Sequence, residues 1–197
     1  MIEADFTVLR DSFRLNSSFH DSGITLLSGE NGSGKSTFLN ALAGFIPVQS
    51  GKIRLNGRDV TQAEVQRRGM VLVTSSSYMG NLGVDRHIAF PGKPDRDPER
   101  VRELRESFGI DYYGKVGSLS MGQRIRVSLA TAFYRRAEAV LIDEALSNLS
   151  EPMEVLGEIS TMSGSLKADV IIVAHSLPEI RPDHHYVMEN GNMRREY

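Results

Sequence analysis

Gly29-Glu30-Asn31-Gly32-Ser33-Gly34-Lys35-Ser36-Thr37 follows the spacing G-x-x-x-x-G-K-[ST], the pattern of a loop that wraps phosphate groups. A triphosphate packs several negative charges into a small volume, so its cradle needs many donors at short range and few side chains in the way. Gly29, Gly32 and Gly34 allow backbone N–H groups to turn toward the phosphates, and a helix starting near Lys35 adds the positive end of its dipole. Lys35 is expected to reach the β and γ phosphates, and the Ser36 hydroxyl to be a ligand of Mg²⁺, which prefers hard oxygen donors. Glu30, Asn31, Ser33 and Thr37 complete the expected nucleotide-binding segment.

This chemistry requires a strand before the loop and a helix after it. Ile24-Thr25-Leu26-Leu27 is a short apolar run ahead of it, and Phe38, Leu39, Leu42 and Phe45 recur at helical spacing behind it. Ala139-Val140-Leu141-Ile142 is a second apolar strand, and it delivers Asp143 and Glu144 at its C-terminal end. Ligands of open α/β sheets gather at the carboxyl ends of the strands. Asp143 is therefore expected to complete the Mg²⁺ environment, and Glu144 to orient or deprotonate a water attacking the γ-phosphate. A third apolar run, Asp169 to Ala174, ends in His175, whose imidazole is expected to contact the γ-phosphate from the same rim. His20, His87, His184 and His185 read as structural or solvated.

The remaining pattern predicts an α/β fold with a mainly parallel sheet. Phe6 to Leu9 and Phe13 to Leu15, around Arg10-Asp11-Ser12, predict an N-terminal antiparallel hairpin; Ile53-Arg54-Leu55 before Asn56-Gly57 predicts an edge strand and a tight turn. Met70 to Val73, Ala139 to Ile142 and Asp169 to Val173 are nearly continuous apolar runs, expected in the centre of the sheet. Residues 75–128 read as an inserted helical subdomain between core segments 1–74 and 129–197. Within the insert Asp97-Pro98-Glu99 starts a helix that Gly109 stops. Pro91-Gly92-Lys93-Pro94 reads as a loop.

Composition narrows the partners. A net charge of −2 gives no global reason to expect nucleic acid, and the absence of cysteine excludes disulfides, thiolate metal sites and thiol nucleophiles. No apolar run approaches the roughly 18 residues of a membrane span, and the acidic N-terminus is unlike a signal peptide. The sequence thus reads as a soluble chain that reaches a membrane only through a partner.

At Leu119-Ser120-Met121-Gly122-Gln123 the chain resembles the ATP-binding cassette (ABC) family, whose signature is L-S-G-G-Q; four of five positions match. The pentapeptide lies at the end of the helical insert, about twenty residues before the Asp143-Glu144 strand, and a helix with Ile125, Leu129, Ala132 and Phe133 on one face follows it. Ala43 to Pro47, Ser50 to Ile53, Asn56-Gly57 and Glu189-Asn190-Gly191 extend the similarity over nearly the whole chain. The resemblance implies a P-loop ATPase core and a short, single-cassette nucleotide-binding subunit of a transporter, peripheral at the cytoplasmic face of a membrane through integral membrane partners. It also implies a second cassette, homologous or identical, facing the first head to tail. Ser120, Gly122 and Gln123 of one cassette would then cap the ATP held by the other.

Three departures accompany the match. The family's glutamine after the Met70 to Val73 strand falls on Thr74 or Ser75, the proline after the catalytic glutamate is Ala145, and Ser147-Asn148-Leu149-Ser150 stands where S-A-L-D is usual. The family's adenine-stacking aromatic has two candidates, Phe6 and Phe13, each read first as a strand core residue. The alternatives to a transporter subunit are a soluble ABC-type ATPase acting on nucleic acid, ribosomes or another protein, and an ordinary P-loop kinase or GTPase. The first lacks a basic tail or heptad run here, and the second leaves the pentapeptide unexplained.

Overall fold

The computed structural model describes residues 1–92, 96–174 and 181–197. The chain opens with an antiparallel hairpin, β1 (Ile2–Arg10) and β2 (Phe13–Asp21), in which Val8 faces Leu15 and Arg10 faces Phe13. Asp11 turns it at φ 53°, a left-handed position that aspartate tolerates better than most residues. Both strands are nine residues long and alternate buried with exposed positions, so the hairpin is larger than the short apolar runs predict.

β3 (Ile24–Ser28) then leads through the glycine-rich loop into α1 (Lys35–Ala43). β4 (Ser50–Leu55) and β5 (Arg58–Asp59) pair around Asn56 and Gly57, both at positive φ, as a tight two-residue hairpin demands. β6 (Met70–Val73) precedes the helices α2 (Val84–Ile88), α3 (Pro98–Ser107) and α4 (Met121–Tyr134), the last continuous across residue 128. The Asp97 side chain accepts a hydrogen bond from the Arg100 N–H, capping α3 as its Asp-Pro-Glu start requires. β7 (Ala139–Asp143), α5 (Pro152–Leu166), β8 (Asp169–Val173), β9 (His184–Glu189) and β10 (Asn192–Arg195) follow. Of the loop expected at Pro91 to Pro94, Pro91 and Gly92 lie in a 3-10 turn, and the rest is outside the described residues.

The strands form one mixed sheet in the order β5-β4-β1-β2-β10-β9-β3-β8-β7-β6. β9, β3, β8, β7 and β6 run parallel, and the pairs β1–β2, β1–β4, β4–β5 and β9–β10 are antiparallel. Two apolar layers flank it. Ala139, Leu141, Ile171 and Val173 point into one layer with Phe6, Phe19 and Phe38; Val140, Ile142, Val170 and Ile172 point into the other with Phe108, Phe133 and Ile159. That two-sided burial explains the continuous apolar runs of β7 and β8.

β6 corrects the reading of all three runs as central, because it closes the sheet at one edge among the described residues. Met70 and Leu72 still meet one layer and Val71 and Val73 the other. An unbroken apolar run therefore reports that both faces of a strand are covered, and does not report a neighbour on each side.

Candidate functional site

Backbone contact shapes the loop. Gly29 has φ 142°, and a Cβ there would lie 2.2 Å from the Met188 carbonyl oxygen; Gly34 has φ 116°, and a Cβ there would lie 2.8 Å from Cζ of Phe13. The Gly191 N–H donates to Ser33 O at 2.9 Å. The turn joining β9 and β10 thus braces the loop from behind, while a Cβ on Gly32 would meet nothing within 4 Å. Only the open side is left for a ligand.

Lys35, 4% exposed, begins α1 and bends over the loop to donate to Gly29 O at 2.7 Å and Glu30 O at 2.8 Å. Two of its three donors are held by neutral carbonyls, which an anionic oxygen displaces readily. Ser33 Oγ is buried without a hydrogen-bond partner. A glycine-lined concavity holding an ammonium group and a helix N-terminus fits a polyphosphate.

β7 carries Asp143 to the same rim, where Ser36 Oγ donates to Asp143 Oδ1 at 3.2 Å. Burial raises the Asp143 pKa above its usual 3.8 and the nearby Glu144 carboxylate adds to this, while the Ser36 hydrogen bond and Lys35 oppose it. A half-buried carboxylate beside a serine hydroxyl is a pair of hard oxygen donors, so these residues fit Mg²⁺. Glu144 takes φ 53°, strained for a residue with a side chain, and its N–H donates to Val173 O at 3.1 Å. The kink turns the chain away from the strand direction, and Glu144 lines a cleft of about 570 Å³ with Gly32, Gly34, Lys35, Ser36 and Thr37. Asn31 lines this cleft also, whereas Glu30 and Ser33 line a second one, of about 620 Å³, between the loop and Val187 to Asn190. His175 lies outside the described residues.

The cleft has a wall that sequence reasoning set aside. Arg10, Asp11, Ser12 and Phe13, from the first hairpin, face the loop across it. Phe6 is a core residue, stacked on Phe38 with ring centroids 5.9 Å apart. Phe13 is half-buried, packs at the edge of the same layer and also lines the cleft. Position beside a turn is the signal that separates the two, since turn-flanking residues sit at the sheet rim.

The pentapeptide has a local explanation as well. Ser120 caps α4: its Oγ accepts from the Gln123 N–H at 3.3 Å, and Gln123 Oε1 accepts from the Ser120 N–H at 2.9 Å. This reciprocal pair is a capping box, so Leu119, buried, and Gln123 serve the helix start whatever else they do. Met121, the departing position, is 49% exposed in the first turn, next to Gly122. At Thr74, one of the two positions where the family's glutamine falls, Oγ1 lies 3.1 Å from Ser76 Oγ and 3.0 Å from Ser77 Oγ, so its hydroxyl is engaged in its own turn.

The family model described as ABC transporter matches residues 13–147, from the cleft wall through the Asp143-Glu144 strand. The chain belongs to the ABC transporter family. The molybdate/tungstate import ATP-binding protein WtpC of Archaeoglobus fulgidus is 34% identical over 194 residues, covering 92% of this chain and 80% of its own. The sn-glycerol-3-phosphate import ATP-binding protein UgpC 2 of Agrobacterium fabrum is 32% identical over 99% of this chain, which spans only 57% of that relative's length. The cbiO1 protein of Clostridium perfringens, described as part of an ABC transporter complex, superposes with a TM-score of 0.81 over 98% of this chain and 86% of its own; at 18% identity it attests the fold. As an ABC ATP-binding subunit the chain binds and hydrolyses ATP and serves transport. No helix among the described residues is long and apolar enough to cross a membrane.

Proposed function

We propose that the chain powers a membrane importer whose spanning subunits are separate polypeptides, and that it works as one of two cassettes closed head to tail over ATP. The convergence of Lys35, Ser36, Asp143 and Glu144 on one rim carries this reading. The glycine loop, residues 29–37, holds the phosphates, and Lys35 leaves the Gly29 and Glu30 carbonyls for the β and γ oxygens. Ser36 and Asp143 hold Mg²⁺, which when bound offsets the charge on the phosphate oxygens. Glu144 accepts a proton from water as the water oxygen bonds to the γ-phosphorus and the bond to the β-bridging oxygen breaks, with ADP leaving. His175 is assigned a contact to the γ-phosphate.

The second cassette supplies what one chain lacks. Ser120, Gly122 and Gln123 open α4 of the partner and close over the γ-phosphate with the helix dipole behind them. The insert, residues 75–128, carries this surface, and it also faces the membrane partner, which places the chain at the cytoplasmic side. The import direction follows the names of the relatives, WtpC and UgpC 2 among them.

A Glu144→Gln variant tests the scheme. It is expected to elute as an ATP-bound dimer in size-exclusion chromatography and as a monomer without nucleotide. A monomer under both conditions overturns the head-to-tail arrangement. Recovery of the tagged wild type from detergent-solubilised membranes with ribosomes or DNA alone overturns the transport assignment.

A further inference from the structure

Between β6 and α2 the chain runs from the sheet rim to the helical region, and residues 74–79 are wound tightly. The Thr74 N–H donates to Ser77 Oγ at 2.9 Å and the Ser76 N–H to Thr74 Oγ1 at 3.2 Å. This segment is gripped by one polar face of α4. Arg124 and Ser128 point toward it, and Thr131, one turn further, toward α2: Arg124 Nη1 donates to Tyr78 Oη at 2.8 Å, Ser128 Oγ to Ser77 O at 2.7 Å, and Thr131 Oγ1 lies 2.9 Å from His87 Nδ1.

Backbone bonds join the next stretch to the residues just before Ser120. The Gly117 N–H donates to Gly80 O at 3.0 Å, the Val116 N–H to Leu82 O at 2.9 Å and the Val84 N–H to Gly114 O at 3.1 Å. A Cβ on Gly117 would sit 3.0 Å from Gly80 O, so the two segments touch backbone to backbone. The pentapeptide is therefore held from both sides by residues 77–87.

His87 completes the grip. It is 2% exposed, and its Nε2 accepts the Met79 N–H at 3.0 Å. That bond assigns the proton to Nδ1, which donates to Thr131 Oγ1, and Thr131 donates to Val127 O at 2.8 Å. Burial lowers the imidazole pKa below its usual 6.5 and so favours this neutral tautomer. A phenyl ring would fill the same space but leave the Met79 amide without its acceptor.

We propose that His87 is a positioning residue for ATP hydrolysis: it holds the Met79 amide against α4 and thereby sets the angle at which Ser120 to Gln123 meet the partner's nucleotide. The inference rests on the head-to-tail reading above. His87 lines neither cleft beside the glycine loop, so its loss is expected to act on turnover and leave nucleotide binding alone.

The test compares His87→Phe with His87→Gln in the full chain, measuring binding of a fluorescent ATP analogue, steady-state hydrolysis and thermal unfolding. Gln offers an amide oxygen near the Nε2 position. His87→Phe should keep ATP affinity within about twofold and lose kcat at least about tenfold, and His87→Gln should recover most of that kcat. Equal kcat in His87→Phe and wild type, or a Gln variant no better than Phe, overturns the proposal. If His87→Phe does not fold, Thr131→Val, which removes the α4 partner of His87 Nδ1, must show the same split between kcat and affinity, and a parallel fall in both overturns it. Placed in the Glu144→Gln background, His87→Phe should reduce the ATP-bound dimer fraction. A parent that dimerises equally well with and without His87→Phe sinks the proposal alone, whereas a monomeric parent sinks the head-to-tail reading and the proposal with it.

Discussion

The glycine loop and the pentapeptide are both rich in serine and glycine, yet the fold treats them oppositely. At the loop, Ser33 Oγ has no partner, Lys35 is parked on two carbonyls, Asp143 is raised by burial and Glu144 is held at a strained φ. At the pentapeptide, Ser120 and Gln123 satisfy each other and extend a stable helix. One region stores unmet demand for an anion and a cation, and the other is content alone. A site that is restless in the isolated chain is built for a ligand; a site at rest is a surface that meets its target only when something brings the target to it.

Lys35→Ala breaks this comparison most severely. It removes the ammonium charge from the concavity while leaving the loop braced by Gly191 and Met188, so the fold should survive and ATP affinity should fall at least about a hundredfold. Equilibrium binding of a fluorescent ATP analogue reads the loss, and unchanged affinity would show that the loop does not hold the triphosphate.

Ser120 comes next, because its two roles can be separated. Ser120→Ala loses the cap, worth about 1 kcal/mol or roughly 2–4 °C in melting temperature for a chain of this size. Ser120→Asp keeps the cap, since aspartate is as good at that position, but places a carboxylate where the γ-phosphate of the partner should lie. Its melting temperature should match wild type while kcat falls at least about tenfold. Wild-type turnover in Ser120→Asp would mean that the capping box is the pentapeptide's whole purpose.

The loop was legible in the sequence because its chemistry is local: one strand, three glycines with forced φ, one helix start. Asp143 and Glu144 were legible for a related reason, a strand end being visible as the point where an apolar run stops. What the sequence hid depends on through-space neighbours. Nothing in the pattern of Met70 to Val73 tells an edge strand from a central one, since two covering layers impose the same apolar run as two flanking strands. The brace from Gly191 to Ser33 joins residues 158 positions apart. His87 reads as a structural or solvated histidine until Met79 and Thr131 are seen at its two nitrogens.

Phe13 sharpens the contrast by a smaller amount. It is the aromatic face in the cleft beside the loop, and stacking on a base is worth about 1–3 kcal/mol. Phe13→Leu should raise KM for ATP roughly tenfold with kcat little changed, and Phe13→Tyr should stay within about twofold. An unaltered KM in Phe13→Leu would leave Phe13 with only its packing role at the edge of the core.

The smallest effect bears on the cost of the restless site. Burial, with Glu144 assisting, raises the Asp143 pKa in the folded chain, so the folded state holds this proton more tightly than the unfolded state does. The favourable contribution of the protonated form is complete below the unfolded value of 3.8 and is lost as pH rises through the higher folded value. At neutral pH the ionised Asp143 is therefore a net cost to the nucleotide-free fold, despite Ser36 and Lys35. Asp143→Asn keeps an oxygen for Ser36 and removes the charge. Without ligand it should melt above wild type at pH 7, and the gap should narrow as pH is lowered toward 3.8. With saturating ATP and Mg²⁺ the order should invert, because only the carboxylate gains the stabilisation of a bound cation. Differential scanning fluorimetry across this pH range, with and without nucleotide, reads both signs. If Asp143→Asn melts below wild type in the absence of ligand, the carboxylate is a structural asset, and the division into a strained half-site and a satisfied one loses its energetic basis.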